Sequence, residues 1–220
     1  MMKSKALTVS LALACAFSLA QAQDAAGNKD AGKEKAAMCI GCHGIIGYQA
    51  SFPVVHKVPM ISGQNGKYIV AALNAYKKGD RKHPGMRAIA TTLTDKDMAD
   101  LAAHYESHHG SSVKAVADTP GAPSAEVAAL LSKGACVTCH GANYNKPIDG
   151  TYPKLAGQHA DFLYVALKDY GTEGNRHNGR ANAIMGAQVK PFKRSELKAM
   201  AQYLSSLPGD VATVPQSKFR

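Results

Sequence analysis

Cys39-Ile40-Gly41-Cys42-His43 is repeated as Cys136-Val137-Thr138-Cys139-His140, ninety-seven residues further along the chain. Two thiols three positions apart, followed directly by a histidine, form the attachment motif of a c-type haem: the thiols reach the two vinyl groups of one porphyrin and the imidazole reaches its iron. Zinc is the competing use of paired CxxC segments, but zinc ribbons set their pairs roughly 15–20 residues apart. Here the separation is far larger and both pairs end in histidine. The two motifs predict two covalently attached haem c groups, held by Cys39, Cys42, Cys136 and Cys139, with His43 and His140 each ligating an iron.

The chain ends support an exported protein. Lys3 and Lys5 precede an apolar run from Ala6 to Ala20, and Ala20-Gln21-Ala22 supplies small residues for cleavage. Residues 1–22 therefore read as a signal peptide, cut after Ala22 for delivery to the periplasm. Cys15 invites a lipoprotein reading, but Ala12-Leu13-Ala14 is a poor lead-in for lipidation. Cleavage removes Cys15 and leaves four cysteines, all taken by the two motifs, so no thiol remains for a disulfide or for axial ligation. No later segment approaches the ~20 apolar residues of a membrane span, so no transmembrane segment is expected in the mature chain. The formal charge of +10 falls to +8 without Lys3 and Lys5, and each half carries twelve basic and eight acidic residues. That even spread lacks the basic run of a nucleic-acid tail and fits a surface steered toward acidic partners.

The motif belongs to a longer repeat. Val58-Pro59-Met60-Ile61-Ser62-Gly63-Gln64 matches Tyr152-Pro153-Lys154-Leu155-Ala156-Gly157-Gln158, and each is followed by an apolar helical stretch reaching Tyr76 or Tyr170. Gly79-Asp80-Arg81 is then aligned with Gly174-Asn175-Arg176, and each half closes on a patterned helix, Asp95 to Tyr105 and Ser195 to Leu207. Ser107 to Ser124 is rich in Gly, Ser and Pro and reads as a linker. The expected division is a first domain over residues 23–117 and a second over 118–220. Strand patterns are nearly absent, so the fold class is all-α. Thr94 with Asp97 forms a capping-box pattern, and Ser124 is placed to cap the helix leading to the second motif.

An iron held by one histidine needs a sixth ligand or an open site, and that choice separates carrier from enzyme. In the second half only Met185 and Met200 are available, and Met200 lies in the apolar stripe of Leu197 and Leu204. In the first half Met38 abuts Cys39, Met60 matches Lys154, and Met98 lies in a helical stripe, which leaves Met86. Met86 and Met185, each in an apparently irregular segment, are the matched candidates. His83 is the best histidine substitute, since no histidine outside the motifs recurs in both halves.

CxxCH, then a Pro-x-Leu-Ala-Gly-Gln-like segment, then Gly-x-Arg, then a lone Met, twice over, resembles a dihaem class I cytochrome c of the cytochrome c4 family. The resemblance implies two tandem class I cytochrome c domains related by a pseudo-twofold, with propionates facing each other near the interface. It further implies that the carbonyls of Pro59 and Pro153 accept hydrogen bonds from the His43 and His140 rings, and that Arg81 and Arg176 lie near propionates. One departure is visible: nine positions separate Arg176 from Met185, against five from Arg81 to Met86.

The implied function is electron carriage without catalysis, from a quinol-oxidising complex or a dehydrogenase toward a terminal oxidase. A peroxidase-like dihaem enzyme and a fixed cytochrome subunit of a periplasmic dehydrogenase are the rival readings.

Overall fold

In the computed structural model, residues 27–109, 116 and 118–215 are described. The leader at 1–22, the expected new N-terminus at Gln23, and residues 110–115 and 117 of the linker lie outside them.

Capping sets where the principal helices begin. Thr94 accepts from the Asp97 N–H while the Asp97 carboxylate accepts from the Thr94 N–H, opening α5 (Asp95–Ser107) as the capping box predicts. The Asn28 side chain accepts from the Asp30 and Ala31 N–H groups to start α1 (Lys29–Lys35), and α2 (Ala37–His43) follows it directly. A short hairpin of β1 (Gln49–Ala50) and β2 (His56–Lys57) leads to α3 (Gly66–Lys78), β3 (Arg81–Lys82) and α4 (Pro84–Thr92). The second half repeats the plan: Ser124 caps α6 (Ala125–Lys133), then come α7 (Val137–His140), α8 (Ala160–Tyr170), β4 (Gly179–Arg180), α9 (Ala183–Val189) and α10 (Arg194–Ser206).

Each half has its own apolar core. Ile69, Leu93, Met98, Leu101 and Tyr105 cluster in the first, and Leu130, Leu163, Leu197, Met200 and Leu204 in the second. Met98 and Met200 are buried packing residues, as their stripes indicate. In the first half α1 lies so close to α5 that a Cβ on Gly32 would sit 2.0 Å from the Asp100 carbonyl oxygen. Beside that crossing, the buried Asp100 carboxylate accepts from the Asn28 N–H at 2.8 Å and from Lys35 Nζ at 2.6 Å. His104 and Tyr203, aligned by the repeat, have diverged: His104 is buried and stacks on His108, whereas the Tyr203 hydroxyl donates to the Gly121 carbonyl.

The halves meet along their repeated segments. β3 pairs antiparallel with β4, setting Arg81 opposite Arg180 and Lys82 opposite Gly179. Two corresponding strands paired this way is the arrangement a local twofold generates. The tail of the second half also returns to the first, where the Ala212 N–H donates to the Ser62 carbonyl at 2.9 Å.

Gly32→Ala forces backbone rather than a mobile side chain to give way, so it should cost ~3 kcal/mol, the upper end for overpacking, in urea denaturation. Asp100 is held down at about 2, below the ordinary 3.8, mainly by its bond from Lys35. A depressed carboxylate contributes stability above its unfolded value that is lost as pH falls. The stability advantage over Asp100→Asn should therefore be complete above pH ~4 and shrink toward pH 2, as read from denaturation midpoints across that range.

Candidate functional site

A cavity of about 850 Å³ runs through both halves and is lined by both CxxCH motifs. Its walls are largely apolar, with Ile69, Leu73 and Leu101 on one side and Leu163, Leu167 and Phe192 on the other. Cys39, Cys42, Cys136 and Cys139 all lie on this lining.

The two motif histidines are held identically. The His43 ring donates from Nδ1 to the Pro59 carbonyl at 2.9 Å, and His140 donates to the Pro153 carbonyl at 3.1 Å. A carbonyl can only accept, so Nδ1 carries the proton and Nε2 keeps its lone pair, the form an iron ligand requires. Burial lowers the pKa of both rings, against the opposing pull of the proline carbonyls, and so favours the neutral imidazole.

Met86 and Met185 both line the cavity and are half-buried. They are not in irregular segments, as their sequence suggests, but in the first turns of α4 and α9. The reason is local capping. The His83 ring accepts from the Met86 N–H at 3.2 Å, and Asn182 Oδ1 accepts from the Met185 N–H at 2.9 Å. Pro84, with its preset φ, extends the first of these starts. His83, the substitute ligand considered from the sequence, thus acts as the cap of the helix that carries Met86.

The arginine pairing requires a correction. Arg176 is exposed and does not line the cavity. The counterpart of Arg81 is Arg180, its partner in the β3–β4 pair, and it lies on the lining with Arg81. Arg81 stands over the Tyr76 ring at 4.6 Å and Arg180 over the Tyr170 ring at 5.3 Å. From Arg180 to Met185 is five positions, the same as from Arg81 to Met86, so the extra residues of the second half precede Arg180. That shared spacing was the available signal, masked by the look-alike Gly174-Asn175-Arg176.

The lining includes Arg81, Arg180 and Lys154 but, among the described residues, no Asp or Glu. Lys154 is paired with Asp210 at 2.9 Å, whereas neither arginine has a carboxylate partner among the described residues. Arg81 also keeps its buried Nε without a hydrogen-bond partner. An uncompensated buried guanidinium is costly. Carboxylates from a prosthetic group would relieve that cost, and haem propionates fit this requirement as the thiols, imidazoles and thioethers fit its other parts.

Doubled CxxCH motifs, neutral imidazoles and thioethers around one apolar, cationic cavity in a helical chain define a dihaem c-type cytochrome of two class I domains. The cytochrome c family profile matches residues 124–208. Cytochrome c4 of Stutzerimonas stutzeri is 31% identical over 197 residues, covering 83% of this chain and 90% of the relative. The chain belongs to the cytochrome c4 family and binds two haem c groups covalently, as an electron carrier. A relative described as a thiosulfate dehydrogenase electron acceptor, from S. stutzeri strain A1501, is 30% identical over 198 residues, covering 85% of this chain and 88% of the relative. Among solved structures, reduced recombinant cytochrome c4 from Pseudomonas stutzeri matches with a TM-score of 0.60 at 28% identity, covering 83% of this chain and all of that one.

The corrected pairing is testable in the holoprotein. Removing a buried positive charge near a redox centre disfavours the added electron. Arg180→Leu should lower a midpoint potential in a redox titration, while the exposed Arg176→Leu should leave both potentials unchanged.

Proposed function

We propose that the chain, released by cleavage after Ala22, works in the periplasm as a carrier with one haem in each of two domains, residues 23–117 and 118–220. His43 and Met86 ligate one iron and His140 and Met185 the other, while Cys39 with Cys42 and Cys136 with Cys139 hold the porphyrins covalently. Arg81 and Arg180 face the propionates. The observation carrying this reading is that both motif histidines and both matched methionines line one apolar cavity.

Haem supplies an iron that cycles between ferric and ferrous. The chain's task is to keep its surroundings the same in both states. The proline carbonyls fix the imidazole tautomer, and the caps at His83 and Asn182 fix the turns carrying the methionines. Thioether ligation favours the ferrous state relative to a second imidazole, which raises the potential. Arg81 and Arg180, whose charge also favours the reduced state, act in the same direction. A closed pair of sixth ligands leaves no open position for peroxide, which sets the carrier apart from a peroxidase-like enzyme.

Donor and acceptor are redox proteins. The relative described as an electron acceptor of thiosulfate dehydrogenase supports a dehydrogenase in the donor role, beside a quinol-oxidising complex. A terminal oxidase is the proposed acceptor.

The ligand set has a direct optical test. The oxidised protein should bind two haems per chain and show the far-red band of sulfur ligation. Met86→Ala and Met185→Ala should each remove about half of that band and open one iron to cyanide, and removal of both methionines should abolish it. A full band in either single variant would defeat the assignment.

A further inference from the structure

Gln64 and Gln158 are the last residues of the repeated segment, and both side chains are almost completely buried, at 3% and 4% exposure. Each crosses to the other half. The Met60 N–H donates to Gln158 Oε1 at 3.0 Å, and Gln158 Nε2 donates back to the Met60 carbonyl at 2.8 Å. The mirror pair has the Lys154 N–H donating to Gln64 Oε1 at 2.8 Å and Gln64 Nε2 donating to the Lys154 carbonyl at 3.0 Å. A backbone N–H can face only the amide oxygen and a backbone carbonyl only the amide nitrogen, so the orientation of both glutamines is settled by their partners.

The peptide unit at each contact is decisive. The N–H of Met60 and the carbonyl of Pro59 are two ends of one peptide, and that carbonyl is the acceptor for His43. The N–H of Lys154 and the carbonyl of Pro153 stand in the same relation to His140. A chain therefore runs from the imidazole N–H of one half, through a single peptide, to the glutamine oxygen of the other.

We propose that Gln64 and Gln158 are crossed positioning residues: Gln158 tunes the His43 imidazole and Gln64 the His140 imidazole, each through the shared peptide. Hydrogen bonds in series polarise one another. Donation of the Met60 N–H to Gln158 makes the Pro59 carbonyl a stronger acceptor. The stronger acceptor draws on the His43 N–H, and the ring becomes a better donor at Nε2. A better donor stabilises ferric iron and lowers the potential. The inference rests on the proposed ligation of iron by His43 and His140, and it makes each site's potential a property of both halves.

The test uses the full-length holoprotein with Gln158→Leu and Gln64→Leu made separately. Both haem potentials are measured by NMR-monitored redox titration, each haem being assigned through contacts to Met86 or Met185. The Nδ1–H resonances of His43 and His140 are followed in the ferrous state. Gln158→Leu should raise the potential of the haem on Cys39 and Cys42 and move the His43 proton upfield, with the other haem unchanged. Gln64→Leu should do the reverse. Should the leucine variants fail to fold, Gln158→Met and Gln64→Met, which keep the length of the side chain and lose the amide, should give the same shifts. Equal shifts at both haems, as a loosened interface would produce, overturn the proposal, and so does a shift at the haem of the glutamine's own half or none at all. Absence of the far-red sulfur band in the unsubstituted protein would instead defeat the His/Met reading, so the two failures are distinguishable.

Discussion

The constraint governing this molecule is the burial of a large, flat, doubly anionic group inside each of two small halves. A half of about a hundred residues has little core to spare, and here much of its interior is the shared cavity. The helices left to define each half must therefore pack closely. The contact at Gly32, where even a methyl group would strike backbone, brings α1 against α5 without intervening side chains. The Asp100 carboxylate ties the same crossing by accepting from Asn28 and Lys35. Beyond the helices, the covalent thioethers cross-link each half to its haem.

The anionic edges of the group impose the second requirement, a cationic wall, and the pseudo-twofold meets it economically. One antiparallel pairing of β3 with β4 sets Arg81 and Arg180 side by side, each stacked on a tyrosine and neither neutralised by a carboxylate among the described residues. The same axis makes the glutamine contacts reciprocal, so the surface joining the halves also supports both motif histidines. Interface and redox site are built from the same peptides.

Much of this was legible in sequence because the relevant features are local. CxxCH fixes cofactor and proximal ligand within five residues, and the matched methionines emerge from the repeat once the core stripes of Met98 and Met200 are set aside. Arg180 was missed because Gly174-Asn175-Arg176 imitates Gly79-Asp80-Arg81, while the inserted residues fall before the true counterpart. The helices carrying Met86 and Met185 were missed for a different reason. They are seven to nine residues long, too short for periodicity to register, and one is capped by histidine, which is not among the usual capping residues. Gln64 and Gln158 were visible as repeated residues, but their bonds span ninety positions or more and exist only once the halves meet.

The twofold is broken where the surroundings of the two sites differ. His83 caps one methionine helix and Asn182 the other; Met60 stands where Lys154 stands. The first motif also lies in a stretch from Ala36 to Val55 that holds no Lys, Arg, Asp or Glu and leaves Met38, Ile45, Ile46 and Phe52 exposed, an apolar rim more extensive than that of Val137, Ile148 and Ile184 in the second half. With the proposed His/Met set at both irons the coarse potential is the same, so any ordering of the two must come from these differences. Lys154 contributes less than its charge suggests, because Asp210 pairs with it at 2.9 Å. The apolar rim has no such compensation: poorer solvation around the first site penalises the more highly charged ferric state and favours the ferrous one. On these terms the rim acts to raise the potential of the first haem relative to the second, even with the same proposed ligands at both irons.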